Sequence, residues 1–312
     1  MPLPISVIIP TRNCREALER HLDAVGEWLG EVAEVIAIDS ESMDGTLELL
    51  RARLSCVGAT IMSYPPGLYE SWNAAIAVAT GPWTYISTVG DTIDRDGLGV
   101  LQSTAESFNA DAVVSPPRMV EQDGATPAGT RWPIHYFCEA LGEADSPRLL
   151  SKLETVIALC SYGSGSILGS SAANIYRTAV LQDYPFPVEF GHAGDTAWAL
   201  RNCARIRLVI FPRAISTFCL GWQLDEWDPH EERELFLRLN REAISALEAA
   251  REDPELRLAL GWLRALAANE AALWNWLADQ ADLLKGLRHR LQQVNDEKAR
   301  TLRARVVRLL GR

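Results

Sequence analysis

The chain has 312 residues, 48% hydrophobic and 23% charged, with 21 Gly, 16 Pro and a net charge of −11. At roughly 150 residues per domain it has room for about two compact units with a substantial core, and the composition excludes disordered, fibrous and disulfide-scaffold classes. From Lys285 onward nine Lys and Arg stand against two acids, which leaves −18 for residues 1–284: the body repels nucleic acid, while the tail suits an anionic surface.

Residues 4–10 and 33–39 are short Val/Ile-rich runs, and Leu18, Leu22, Val25 and Leu29 between them keep helical spacing, so the chain opens with a β-α-β unit. Asp44-Gly45-Thr46 opens a helix through Leu50, with Asp44 as its cap. A strand over 60–63, a helix over 69–80 stopped by Gly81-Pro82, and a strand over 84–89 follow. The pattern then gives a helix over 98–108 and a strand over 112–115, and turns irregular and Pro/Gly-punctuated over 116–165. Order returns with a strand near 170–177, a helix over 195–203, a strand over 207–211 and an edge-like segment over 215–221; beyond Asp228 only helix remains, broken at Pro254. Continuous apolar strands alternating with helices imply a mostly parallel α/β sheet, with ligands beyond the carboxyl ends of the strands. No apolar run reaches the ~18 residues needed to span a bilayer, and no charged leader precedes the first strand, so a cytoplasmic, non-spanning protein is expected. Cys14, Cys56, Cys138, Cys160, Cys203 and Cys219 form no C-x-x-C pair; they read as buried thiols and not as a zinc or disulfide framework.

Five stretches carry chemistry. Pro10-Thr11-Arg12-Asn13 and Ile38-Asp39-Ser40-Glu41-Ser42-Met43-Asp44-Gly45-Thr46 fall at two strand ends, where a carboxylate can accept from a base N–H or a ribose hydroxyl. Gly67-Leu68-Tyr69-Glu70-Ser71-Trp72-Asn73-Ala74-Ala75-Ile76, Thr88-Val89-Gly90-Asp91, and Gly194-Asp195-Thr196-Ala197-Trp198-Ala199-Leu200-Arg201 follow in order. In this order and spacing they resemble glycosyltransferase family 2, whose corresponding segments run roughly V-D-D-G-S-T-D-G-T, G-I-Y-D-A-M-N-x-G-I, D-x-D-D and E-D…W-x-L-R. The resemblance covers about residues 4–221.

It implies a GT-A fold over residues 1–227, with a donor half over about 1–115, an acceptor half over 116–227, and an all-helical region over 228–312. It further implies that Thr11, Asn13, Asp39, Ser40, Gly67, Asn73 and Asp91 face a nucleotide-sugar donor. Asp91 would hold a divalent cation, Mn²⁺ or Mg²⁺, against its diphosphate; Asp195 would be the base of an inverting transfer, and His192 and Arg201 would lie on the acceptor side. Three departures stand out: Thr88 and Gly90 occupy places where acids are usual, Gly194 replaces a Glu, and no His occurs over 216–221. Without a Q-x-x-R-W segment, single addition is expected in place of polymerisation. The expected function is inverting transfer of one sugar from a nucleoside diphosphate, uridine-linked, to a glycan or lipid-linked glycan. The alternative is a degenerate GT-A protein that binds sugar nucleotides or protein partners through its tail.

That tail carries Leu284, Leu287, Leu291, Val294, Leu302, Val306 and Leu309 on one face, amid arginines. Such a helix suits either self-association into a homo-oligomer or peripheral contact with a membrane. Trp262, Trp274 and Trp276 read as core of the helical region.

Overall fold

The computed structural model describes residues 2–121, 125, 131–141, 146–160, 167–220, 229–269, 271, 272 and 275. β1 (Leu3–Thr11) leads through α1 (Arg15–Leu29) to β2 (Val32–Asp39), and α2 (Thr46–Leu54) leads to β3 (Thr60–Ser63). Next come α3 (Leu68–Ala77), β4 (Trp83–Ile86), the short β5 (Thr92–Ile93), α4 (Arg95–Ser107), β6 (Ala112–Val114) and β7 (Arg118–Glu121). α5 (Pro133–Ala140), β8 (Arg148–Leu149), α6 (Lys152–Cys160), β9 (Asn174–Arg177), α7 (Thr178–Asp183) and α8 (Gly194–Asn202) follow. β10 (Leu208–Ile210), β11 (Ser216–Leu220) and α9 (Pro229–Ala249) come last, with residues 254–269 again helical.

Eight strands form one sheet in the order β3-β2-β1-β4-β9-β6-β10-β8. The first four run parallel, as do β6 and β10, while β9 is antiparallel to both its neighbours and β8 to β10. A small sheet, β5-β11-β7, lies apart from it. Strand alternation explains the two-sided core. Ile5, Val7, Ile9, Val35 and Ala37 enter one apolar cluster with Leu18 and Leu22 of α1, Leu50 of α2 and Leu101 of α4. Ile8, Ile36 and Ile38 enter the other, with Ile76 of α3, Leu159 of α6 and Trp198 of α8. This mostly parallel sheet covered by helices on both faces is the expected α/β architecture.

Two stretches differ from the sequence reading. Residues 116–165 contain β7, α5, β8 and α6, elements of two to nine residues that are too short for periodicity to register. Beyond residue 228, Leu239, Ala243 and Leu247 of α9, with Leu256, Ala259 and Leu263, share the apolar cluster of Trp198. α9 is also tied to α8 by the Arg201–Glu242 ion pair at 2.6 Å. Trp262 is partly buried against the same cluster. Among the described residues no helix is long and apolar enough to cross a membrane. The amphipathic run from 284 to 309, Trp274 and Trp276 lie outside the described residues.

Candidate active site

Parallel register puts Thr11 at the end of β1 directly beside Asp39 at the end of β2. Asp39 is fully buried. Its carboxylate accepts from the Thr11 hydroxyl at 3.1 Å, the Ser42 hydroxyl at 2.6 Å and the Ser42 N–H at 2.9 Å. A second set of bonds clips the loops after the two strands together. Asn13 Oδ1 accepts from Met43 N at 2.8 Å, Asn13 N donates to Ser42 Oγ, and Arg15 N donates to the Asp44 carboxylate. Asp44 also accepts from the backbone and hydroxyl of Thr46 at the start of α2, but the N-cap position that its sequence suggests for it falls to Gly45, one residue on. The backbone N–H of Arg15 and the hydroxyl of Thr46 hold the Asp44 carboxyl below the usual range.

Above these loops opens a cavity of about 400 Å³, at the carboxyl ends of the strands where α/β sheets bind ligands. Thr11, Arg12, Ser40, Gly67, Trp72 and Thr88 are among its walls. Three of the expected donor residues, Thr11, Ser40 and Gly67, thus face one space. Asp39 and Asn13 are not on its wall: Asp39 holds Thr11 and Ser42 in place, and Asn13 fixes the rim. Trp72 was not legible as a site residue. It is buried, yet its indole N–H has no hydrogen-bond partner in a place where an unpaired donor is costly, and a ligand acceptor entering the cavity would satisfy it.

α3 forms a wall shared with the second part of the site. Tyr69, on its first turn, donates to the His192 carbonyl at 3.2 Å, and its ring lies against Gly194. A Cβ at Gly194 would stand 2.4 Å from that ring and 2.7 Å from the Pro187 carbonyl. This explains why glycine stands where the resemblance leads one to expect glutamate. Tyr69, Trp72, Phe186, Tyr176 and Trp198 continue as an aromatic chain with centroid spacings of 5.1 to 6.2 Å, each contact adding about 0.5–1.5 kcal/mol beyond area burial. The chain joins the cavity wall to α8, which carries Asp195 on its first turn. Burial pushes the Asp195 carboxyl above the usual carboxylate range, against the pull of the Thr196 N–H and the Tyr69 hydroxyl. A carboxylate so raised is a stronger proton acceptor.

Asn73 is not among the residues lining the cavity, and its side chain braces α3. Its amide donates to the Phe186 carbonyl at 2.8 Å and accepts from the Phe186 N–H at 2.9 Å, which fixes α3 to the segment before α8. Arg201 is likewise engaged, paired with Glu189 at 2.5 Å and Glu242 at 2.6 Å. It stabilises the seat of α8 and does not present a free charge to an acceptor. His192 is exposed beside Asp195 in the chain, and only its backbone is engaged with Tyr69.

Asp91 closes the turn after β4. Gly90 has φ +101°, a left-handed conformation that an acid would adopt only under strain, so the turn itself selects against a second carboxylate there. Asp91 is buried, and its oxygens accept from the Ser170 hydroxyl at 2.7 Å and the Cys219 N–H at 3.2 Å. Among the described residues no group of three His, Cys, Asp or Glu side chains is placed to hold a metal ion. This donor set, one engaged and buried carboxyl beside Thr88 and Gly90, does not fit a divalent cation.

Burial raises the Asp91 pKa to about 7, with the Ser170 and Cys219 bonds opposing it. The folded protein therefore keeps a proton that the unfolded chain releases near pH ~4. Folding takes up that proton between the two values, stability falls as pH rises through the window, and the penalty is complete above pH ~7. Asp91→Asn, which still offers Cys219 an acceptor, is expected to melt higher than the wild type at pH 8 and to lose the advantage at pH 4. Thermal melts at the two pH values check this, and equal melting at pH 8 would contradict it.

The sequence model of glycosyl transferase family 2 matches residues 6–165. The chain belongs to this family. No curated protein matches it in sequence. Among solved structures it is similar to residues 1–349 of S. aureus TarS in complex with UDP-GlcNAc, at 16% identity over 84% of this chain and 80% of that one, TM-score 0.55. The same protein in complex with UDP gives 17% identity over 81% and 73%, TM-score 0.53. Glucosyl-3-phosphoglycerate synthase from Mycobacterium tuberculosis with phosphoglyceric acid gives 16% over 77% and 79%, TM-score 0.50. At such identities the likeness is one of fold, and the fold of this family 2 member is GT-A.

Proposed function

We propose that the chain is an inverting glycosyltransferase that moves a single sugar from a uridine diphosphate sugar to a hydroxyl of a glycan or lipid-linked glycan. The observation that carries the reading is the shared wall: α3 lines the cavity with Gly67, Leu68 and Trp72 and holds the helix of Asp195 through Tyr69. A nucleotide sugar seated with its nucleoside between Thr11 and Ser40 would extend along α3 towards Asp195. There the carboxylate would take the proton of the incoming hydroxyl as its oxygen bonds to the anomeric carbon and the nucleoside diphosphate departs from the opposite face. Membership of the family supports transfer from a nucleotide sugar, and the UDP and UDP-GlcNAc complexes of TarS support uridine as the base.

A second reading, a GT-A protein that binds without turnover, is favoured by the engagement of both Asp39 and Asp91 in internal hydrogen bonds. Release of nucleoside diphosphate from a panel of UDP-, GDP- and TDP-sugars, with water or glycan mixtures as acceptors, separates the two. The transferase reading expects release from one nucleotide class, with UDP first. Binding of a nucleotide sugar without release under any acceptor would support the second reading instead.

A further inference from the structure

The donor that this reading calls for brings a diphosphate, yet the turn after β4 offers it little that could hold a cation. Positive charge reaches the same place from another direction. Arg12 follows Thr11 at the end of β1, is exposed, and lines the cavity together with Thr88 and Val89 of that turn. Its guanidinium has no hydrogen-bond or ion-pair partner among the described residues. Many other arginines are engaged: Arg53 with Asp23, Arg95 with Glu31, Arg177 with Asp111, and Arg15 with the Gly45 carbonyl. On α1, Ala17 lines the cavity and Arg20 lies one turn further on. Arg20 is exposed, lacks a partner among the described residues, and acts electrostatically on Cys219, whose N–H donates to Asp91. Arg12 thus shares a wall with Thr88 and Val89 of the turn where the resemblance leads one to expect acids, and Arg20 stands one turn along α1 from Ala17 of the same wall. A guanidinium presents a planar fork of donors that matches phosphate oxygens, remains charged at any working pH, and needs no water stripped from a metal ion.

We propose that Arg12, with Arg20 as its flank, carries the positive charge that meets the donor diphosphate, and that nucleotide binding does not depend on a divalent cation. The inference rests on the nucleotide-sugar reading and concerns this chain's own side chains. It is tested by calorimetric titration of the full chain with UDP and with uridine, each in Mn²⁺, Mg²⁺ and EDTA, for the wild type, Arg12→Ala, Arg12→Lys and Arg20→Ala. The wild-type affinity for UDP is expected to agree within about twofold across the three conditions. Arg12→Ala is expected to lose at least ~10-fold for UDP, as is usual when a charge-assisted contact is removed, with Arg12→Lys recovering part and Arg20→Ala losing less. Uridine, which lacks the phosphates, should bind all four proteins alike, a result that a merely structural role for Arg12 would not give. UDP binding by the wild type that disappears in EDTA and returns with Mn²⁺ overturns the inference while leaving the transferase reading in place, as does unchanged UDP binding by Arg12→Ala. Failure of the wild type to bind UDP in any condition overturns both.

Discussion

Asp195→Asn is expected to reduce release of nucleoside diphosphate from a nucleotide sugar by about 10²- to 10⁴-fold, the range usual for a lost general base, while leaving UDP affinity within about twofold. The amide keeps the shape of the side chain, and its oxygen can still accept from Thr196 N, a bond of 2.6 Å in the wild type. What it loses is the capacity to take a proton. Burial holds this carboxyl above its ordinary range, which makes it a stronger proton acceptor than an exposed carboxylate, and the substitution removes that acceptor. The cavity between Thr11, Ser40 and Trp72 is built by other elements, so binding should persist. Parallel measurement of turnover and UDP binding checks the split. Normal turnover in Asp195→Asn would remove it as the base, and a matching loss of binding would make its role one of assembly.

The largest effect on stability is expected at Gly194. A single methyl there would stand 2.4 Å from the Tyr69 ring and 2.7 Å from the Pro187 carbonyl, well inside contact distance. Neither neighbour can give way easily. The Tyr69 ring packs against Trp72 and Phe186 at centroid distances of 5.1 and 5.5 Å, its hydroxyl is bonded to His192, and Pro187 offers backbone. Overpacking of this kind costs about 1–3 kcal/mol, which in a domain of this size lowers the melting temperature by roughly 2–4 °C per kcal/mol. Gly194→Ala is expected to melt some ~5–10 °C below the wild type, and Gly194→Glu lower still. In a Tyr69→Ala background much of the clash is absent, so the second substitution should cost less there than alone. Differential scanning calorimetry of the single and double variants measures the coupling, and additive losses would contradict the packing account.

Local patterns carried most of the fold. The Val/Ile runs of β1 and β2 and the stripe Leu18-Leu22-Val25-Leu29 depend on residues adjacent in sequence, and each is where its pattern places it, whereas α3 ends at Ala77, three residues short of the expected end before Gly81-Pro82. Thr11, Ser40 and Gly67, which the family resemblance implies as donor residues, meet at one cavity. What escaped notice depends on contacts between distant parts of the chain. Asn73 carries a motif position, yet its amide is matched to the backbone of Phe186, 113 residues away. Arg201 is balanced by Glu242 of α9, a pairing no local pattern encodes. Ser42 could have been found, since a hydroxyl three residues after a strand-end Asp is a common way to hold a carboxylate in a turn. Trp72 could not, because an unpaired indole N–H is visible only once the surrounding walls are in place.

The most direct test of the account is calorimetric titration of the purified chain with UDP, GDP and TDP. Saturable binding of UDP, one per chain and stronger than that of the other two, is the predicted result and would place a uridine nucleotide at the head of the cavity between β1, β2 and α3. Absence of binding by all three would contradict the account at its centre, leaving a GT-A fold without donor chemistry.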